Sequence, residues 1–122
     1  MSAQRRRRVL TRALAAPLAV GGTVLLVRPE RVARAVSGGG REPSAWVVRV
    51  LGGRVLVQQT AVLLHPTRGL VLAGVVADAI HAASMVPTAL AWTAYRRPAW
   101  VSGAAAAGAA IAAALVAPRP ED

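Results

Sequence analysis

The sequence predicts an all-α fold, an integral membrane four-helix bundle. Three observations carry that reading. Hydrophobic residues make up 55% of the 122-residue chain, charged residues only 16%, and mean hydropathy is +0.47. A soluble domain carries about 25% charged residues and has no long uncharged stretches. The apolar residues are also gathered into four runs, 13–27, 46–64, 70–92 and 99–117. The last three are close to the ~20 residues a helix needs to cross a hydrocarbon core. Finally, arginine, proline and glycine cluster between the runs, where helices should turn.

All fifteen basic residues are arginine, and the formal net charge is +10. Alanine, glycine, valine and proline are abundant as well, as codon usage in a GC-rich bacterial genome would produce. A charge this large raises nucleic acid as a partner. The arginines, however, flank apolar runs, as charges that orient membrane helices do. The expected partner is therefore the lipid bilayer, with a partner membrane protein or a second copy beside it, and no nucleic acid. Cysteine is absent, which removes disulfides, thiolate metal sites and cysteine nucleophiles.

Residues 1–12 read as a basic cytoplasmic head and residues 118–122 as a polar tail, with a single transmembrane helical domain over 13–117. Run 13–27 spans only about 22 Å as a helix. It reads as a short span whose flanking Arg12 and Arg28 snorkel to the headgroups, with an interfacial helix as the alternative. Arg6-Arg7 with Val9-Leu10 loosely mimics a twin-arginine signal. No small-x-small cleavage site follows, so the segment is expected to stay. In residues 28–45, Pro29 and Glu30 suit a helix first turn and Gly38-Gly39-Gly40 an end. A short amphipathic helix on lipid headgroups and a solvated linker both fit.

Residues 65–69 (HPTRG) form a tight turn between the second and third runs, and Pro87 lies late enough in the third to kink it. The fourth run is mostly alanine, and Gly103, Ala104, Ala107 and Gly108 offer small surfaces for close helix approach. Trp46, Trp92, Tyr95 and Trp100 mark run ends that antiparallel helices would bring to one membrane surface, as an interfacial aromatic belt. On a four-span reading, Arg5, Arg6, Arg7, Arg8, Arg12, Arg68 and Arg119 face Arg28, Arg31, Arg34, Arg41, Arg96 and Arg97 across the membrane. The cluster ahead of the first run decides for a cytoplasmic N-terminus. A three-span reading, with 13–27 not crossing, puts nearly all flanking arginines on one side.

One polar constellation lies inside the runs. Arg54 is about 16 Å along its helix from the turn at His65, and Asp78 about 13 Å along the returning helix. They reach nearly the same depth. A lone arginine at a helix centre costs about 2.5–3.5 kcal/mol on insertion scales, and a facing carboxylate offsets much of it. Gln58 lies one turn from Arg54; His81 and Met85 share the face of Asp78; Gly52 and Gly53 leave room for a neighbour. The expected cluster is Arg54, Gln58, Asp78 and His81. It is either a buried ion pair that sets helix register, a pocket for an anionic ligand, or a proton path.

No catalytic residues, metal site or cofactor are expected. His65 and His81 lie at different depths and cannot face each other as haem ligands. No carboxylate–histidine cluster completes a metal site, and no nucleophile elbow or phosphate loop is present. The stretch RVLGGRVLVQQTAVLL, followed by VVADAIHAASM, resembles small four-helix bacterial membrane proteins of the DoxX-like kind. These show a Gly-x-Arg element in one helix and an acidic residue in another, matched here by Gly52, Arg54 and Asp78. The resemblance covers about residues 46–117 and implies a four-helix bundle but little about substrate. The expected role is that of an accessory subunit of the bacterial inner membrane, or a small-ligand or lipid-binding protein. A minimal oligomeric transporter and a membrane component of an oxidoreductase are the rivals.

Overall fold

The computed structural model describes residues 2–120, so Glu121 and Asp122 of the polar tail lie outside the described residues. Five α-helices follow one another: α1 (Ala3–Val27), α2 (Pro29–Ser37), α3 (Ala45–Leu64), α4 (Arg68–Ala91) and α5 (Arg96–Val116), with a single 3-10 turn, Thr93–Tyr95, before the last. Four of them are long and apolar enough to cross a membrane. The fold is an all-α four-helix bundle, and the chain is a multi-pass membrane protein. Each span buries only about a fifth of its most apolar window within the protein (17–22%). Val20, Val57, Leu64, Val76, Ile80, Leu90, Ile111 and Leu115 point outward instead. An apolar surface on all sides is stable in lipid and not in water.

The largest departure from expectation is α1. It begins ten residues before the apolar run and is 25 residues long, about 37 Å. The basic head is therefore its first turns, and the first span is the longest helix rather than a short one. Ser2 caps it, its hydroxyl accepting from the Arg5 amide at 3.1 Å, and arginine is a good helix former. Helix α4 also starts earlier than the apolar run, at Arg68, because Thr67 caps it by accepting from the Leu70 amide at 3.3 Å. Helix α5 starts at Arg96. Pro98 is accommodated there because first-turn amides have no intrahelical partner. Near Pro87, the hydroxyls of Thr88 and Ser84 turn back onto the carbonyls of Ser84 and His81, and α4 continues to Ala91.

Packing is closest within two antiparallel pairs, α1 with α3 and α4 with α5. Gly22 and Gly52 let the first pair meet backbone to backbone, and Gly103 lies against Met85 in the second. The buried positions of α5 are Ala99, Gly103, Ala106 and Ala110. That alternation of four and three residues is the seam spacing of left-handed bundle packing. Of the small residues expected to pack, Gly103 does so while Ala104 and Gly108 face outward.

Helix α2 closes the end of the bundle away from the N-terminus. Pro29, Ala33 and Ser37, four residues apart, are buried, against the neighbouring ends of α3 and α5. Its inner face thus rests on protein, not on headgroups alone. It stops at Gly38, whose φ of 55° is left-handed and whose bare Cα lies under the Arg97 guanidinium.

At the opposite end, side chains of α1 and α4 hold the chain as it leaves α5. The Arg7 guanidinium donates to the carbonyls of Leu115 and Ala117, both at 3.1 Å. Thr11 donates to Val116 at 3.1 Å and Arg68 to Pro118 at 2.9 Å. The Gln4 amide donates to the Arg119 carbonyl at 3.2 Å and accepts from the Arg119 amide at 2.9 Å. Arg12 does the same for α3, donating to the Leu63 carbonyl at 3.0 Å. Carbonyls at a helix C-terminus lack intrahelical partners and carry partial negative charge, so arginine is well suited to them.

Candidate functional site

The polar site is built across the seam between α3 and α4. From α3, Arg54 extends two nitrogens: Nη1 donates to Gln58 Oε1 at 3.1 Å and Nη2 to Asp78 Oδ1 at 3.3 Å. Gln58 is one turn along the same helix, and its amide lies against Gly74 of α4. A Cβ at residue 74 would stand 2.6 Å from Gln58 Nε2. The glycine is thus the notch that admits the glutamine. Arg54, Gln58 and Asp78 come together as their depth and spacing predict.

The two charges differ in environment. The Asp78 side chain is 8% exposed and faces the bundle interior, whereas that of Arg54 remains 33% exposed. The guanidinium has five N–H donors, of which two are used within the protein. Arg54 therefore sits at the rim of the seam, not fully inside it.

His81 departs from the expected cluster. Its Nε2 lies 2.6 Å from Ser102 Oγ of α5. It fastens α4 to α5 instead of joining Arg54 and Asp78 by a hydrogen bond. Met85, on the same face, packs on Gly103. Gln59, by contrast, was not expected at the site. It belongs to the buried stripe Val48, Gly52, Gln59 and Val62 of α3, is 8% exposed, and borders the same cavity as Thr11 and Asp78. That stripe, read as one helical face, is the signal that singles it out.

Gln58, Gln59, Asp78, Thr11 and Gly74 border a cavity of about 20 Å³ at the centre of the bundle. A single water molecule needs about 10–15 Å³ on this measure. This cavity thus has room for a water and not for an organic solute. Among the described residues, no three of His, Cys, Asp or Glu come together as metal ligands.

The aromatic residues gather at the end closed by α2. Trp46 lies in the first turn of α3, Trp92 follows the last residue of α4, Tyr95 ends the 3-10 turn, and Trp100 lies early in α5. The antiparallel order of the helices brings these ends together. All three tryptophans are exposed. Tyr95 is half-buried and carries the Arg41 guanidinium over its ring, 5.7 Å from the centroid.

Comparison with protein-family models, with curated proteins and with solved structures gives no match.

Proposed function

We propose that this chain is an accessory subunit of a bacterial inner membrane, of the DoxX-like kind, with its N-terminus in the cytoplasm. It works through the outer surface of the α3–α4 seam. The carrying observation is Arg54, which keeps a third of its side chain exposed in the middle of a membrane-spanning helix. Two of its five N–H donors are used within the protein, and hydrocarbon offers no acceptor for the rest. Unsatisfied polar groups cost several kcal/mol in lipid, so a partner membrane protein with an acceptor at that depth, or a second copy of the chain, suits the seam. Asp78 and Gln58 hold the guanidinium in place for that contact.

The transporter reading fares worse. The cavity of about 20 Å³ among the four helices of one copy is too small for an organic solute, so a transporter would have to form its path between copies. The lipid- or ligand-binding reading keeps its force only outside the bundle core.

The test is affinity purification in mild detergent, with mass spectrometry of what co-purifies. It is run on the native chain and on the doubly neutral Arg54→Leu/Asp78→Leu variant. A partner at fixed stoichiometry, lost in the variant while the variant stays folded, is the expected result. A native chain that purifies as a solitary monomer would sink the reading.

A further inference from the structure

We propose that the basic end of the bundle binds the phosphate of an anionic phospholipid, in a cavity separate from the Arg54–Asp78 site. The cavity has a volume of about 390 Å³ and opens between the start of α4, the first turns of α1 and the segment that follows α5. This is within the range of small-molecule sites, about 300–1,000 Å³. Its wall includes three arginines from three separate segments, Arg8, Arg68 and Arg119.

The wall is held in place. Gln4 clamps both the amide and the carbonyl of Arg119. Arg68 is tied through one nitrogen to the Pro118 carbonyl at 2.9 Å. A guanidinium has five N–H donors in a planar fork matched to phosphate oxygens, so Arg68 keeps donors for a ligand.

Position selects a lipid phosphate over a free one. Arg68 opens a membrane-spanning helix and so lies at headgroup depth. Leu72, one turn further into α4, also borders the cavity and continues it toward the hydrocarbon with an apolar wall. A phosphodiester whose acyl chains run past Leu72 meets both halves of the site. A soluble phosphate meets only the arginines. Basic pockets between helices at the cytoplasmic surface suit anionic headgroups for this reason.

The full chain is reconstituted in bilayers of equal phosphatidylglycerol and phosphatidylcholine, released into mild detergent, and weighed by native mass spectrometry. Retained phosphatidylglycerol in excess of phosphatidylcholine is expected. An arginine bordering the bound headgroup contributes about a fivefold preference, as a cation close to an anionic surface does, whereas one outside the cavity contributes little once the bilayer is dissolved in detergent. Arg119→Gln should therefore reduce the excess about fivefold, and Arg68→Gln/Arg119→Gln about 25-fold. Arg119 is exposed and its backbone clamp does not involve its side chain, so the single variant folds and keeps the test decisive should the double one not. Arg5→Gln/Arg6→Gln removes two exposed charges from the same end and should change the excess less than twofold. Equal retention of both lipids overturns the proposal, as does an equal effect of the Arg5/Arg6 pair. Displacement of the adduct by millimolar inorganic phosphate assigns the site to a free anion and overturns it too. None of these outcomes depends on whether a partner protein binds at Arg54.

Discussion

Asp78 meets Arg54 across the α3–α4 seam at 3.3 Å, with the acid buried and the base at the rim. The arrangement is asymmetric, and the consequences of mutation should be as well. Asp78→Leu leaves a guanidinium in an apolar environment with only Gln58 as acceptor. Arg54→Leu leaves a carboxylate buried without its cation. Stranding one member of a buried pair costs about 3–5 kcal/mol, whereas replacing both by apolar residues is often neutral. Arg54→Leu, which strands the buried carboxylate, should lower stability in detergent by about that amount; Asp78→Leu should cost less, because the guanidinium is a third exposed at the rim, and the double change should recover most of the loss. A double-mutant cycle on thermal unfolding reads the coupling directly. Simple additivity of the two losses would mean that the charges do not support each other.

Gly22 and Gly52 set the distance between α1 and α3. A Cβ on Gly52 would lie 2.5 Å from Leu25 Cβ and 2.7 Å from the Gly22 carbonyl oxygen, while one on Gly53 would meet only Leu26 Cδ2 at 3.8 Å. Gly52→Ala must therefore push the two backbones apart, at the typical overpacking cost of about 1–3 kcal/mol. Gly53→Ala should be tolerated. So should Gly21→Ala, which meets nothing within 4 Å and gains helix propensity. Thermal unfolding of the three variants side by side checks the ranking. An intact Gly52→Ala protein with unchanged stability would mean that the helices do not meet there.

How far the sequence foretold the structure depends on whether a feature is local in the chain. Runs 46–64, 70–92 and 99–117 became helices within a few residues of their apolar limits, because a predominantly apolar stretch of that length dictates a span even with one or two charges inside it. The meeting of Arg54 and Asp78 was legible because both are counted from one short turn. Rotation about the helix axes was not. His81 shares a face with Asp78 yet turns to Ser102, and Gly52, not its neighbour, takes the close contact. Such choices depend on which helix lies on which side, information that no single segment holds. The start of α1 was hidden for a related reason. Its arginines read as solvated charge until the end of α5, about a hundred residues later, is placed beside them.

Four spans put the segment around Gly38 on the opposite side of the membrane from the N-terminus. With Arg5, Arg6, Arg7, Arg8 and Arg12 ahead of the apolar run, the N-terminus should be cytoplasmic. A periplasm-active reporter inserted in residues 37–40 should be active, and the same reporter at the N-terminus silent. Depth-dependent quenching of single-tryptophan variants should then place Trp46, Trp92 and Trp100 at one interface. A tryptophan at the bilayer centre would refute the helix limits that put all three at the same end of the bundle.

The first turns of α1 should matter for stability as much as for orientation. Arg7 and Thr11 together supply donors to three consecutive carbonyls, those of Leu115, Val116 and Ala117. Thr11 is 3% exposed, so its hydroxyl is part of the interior. A hydrogen bond from a charged donor contributes about 1.5–3 kcal/mol, and a neutral one about 0.5–1.5. Arg7→Gln should therefore fray the last turn of α5, and Thr11→Val should strand the Val116 carbonyl beside a methyl group of similar size. Hydrogen exchange is the direct readout. Protection of the amides near residue 116 should fall in both variants, while amides at the middle of α5, near Gly103, keep theirs. Arg5→Gln provides the contrast. It removes one positive charge from the same cluster without touching these carbonyls, and should leave exchange in α5 unchanged. If Arg5→Gln and Arg7→Gln loosen α5 equally, then net charge at that end, and not the bonds to Leu115 and Ala117, holds the helix in place.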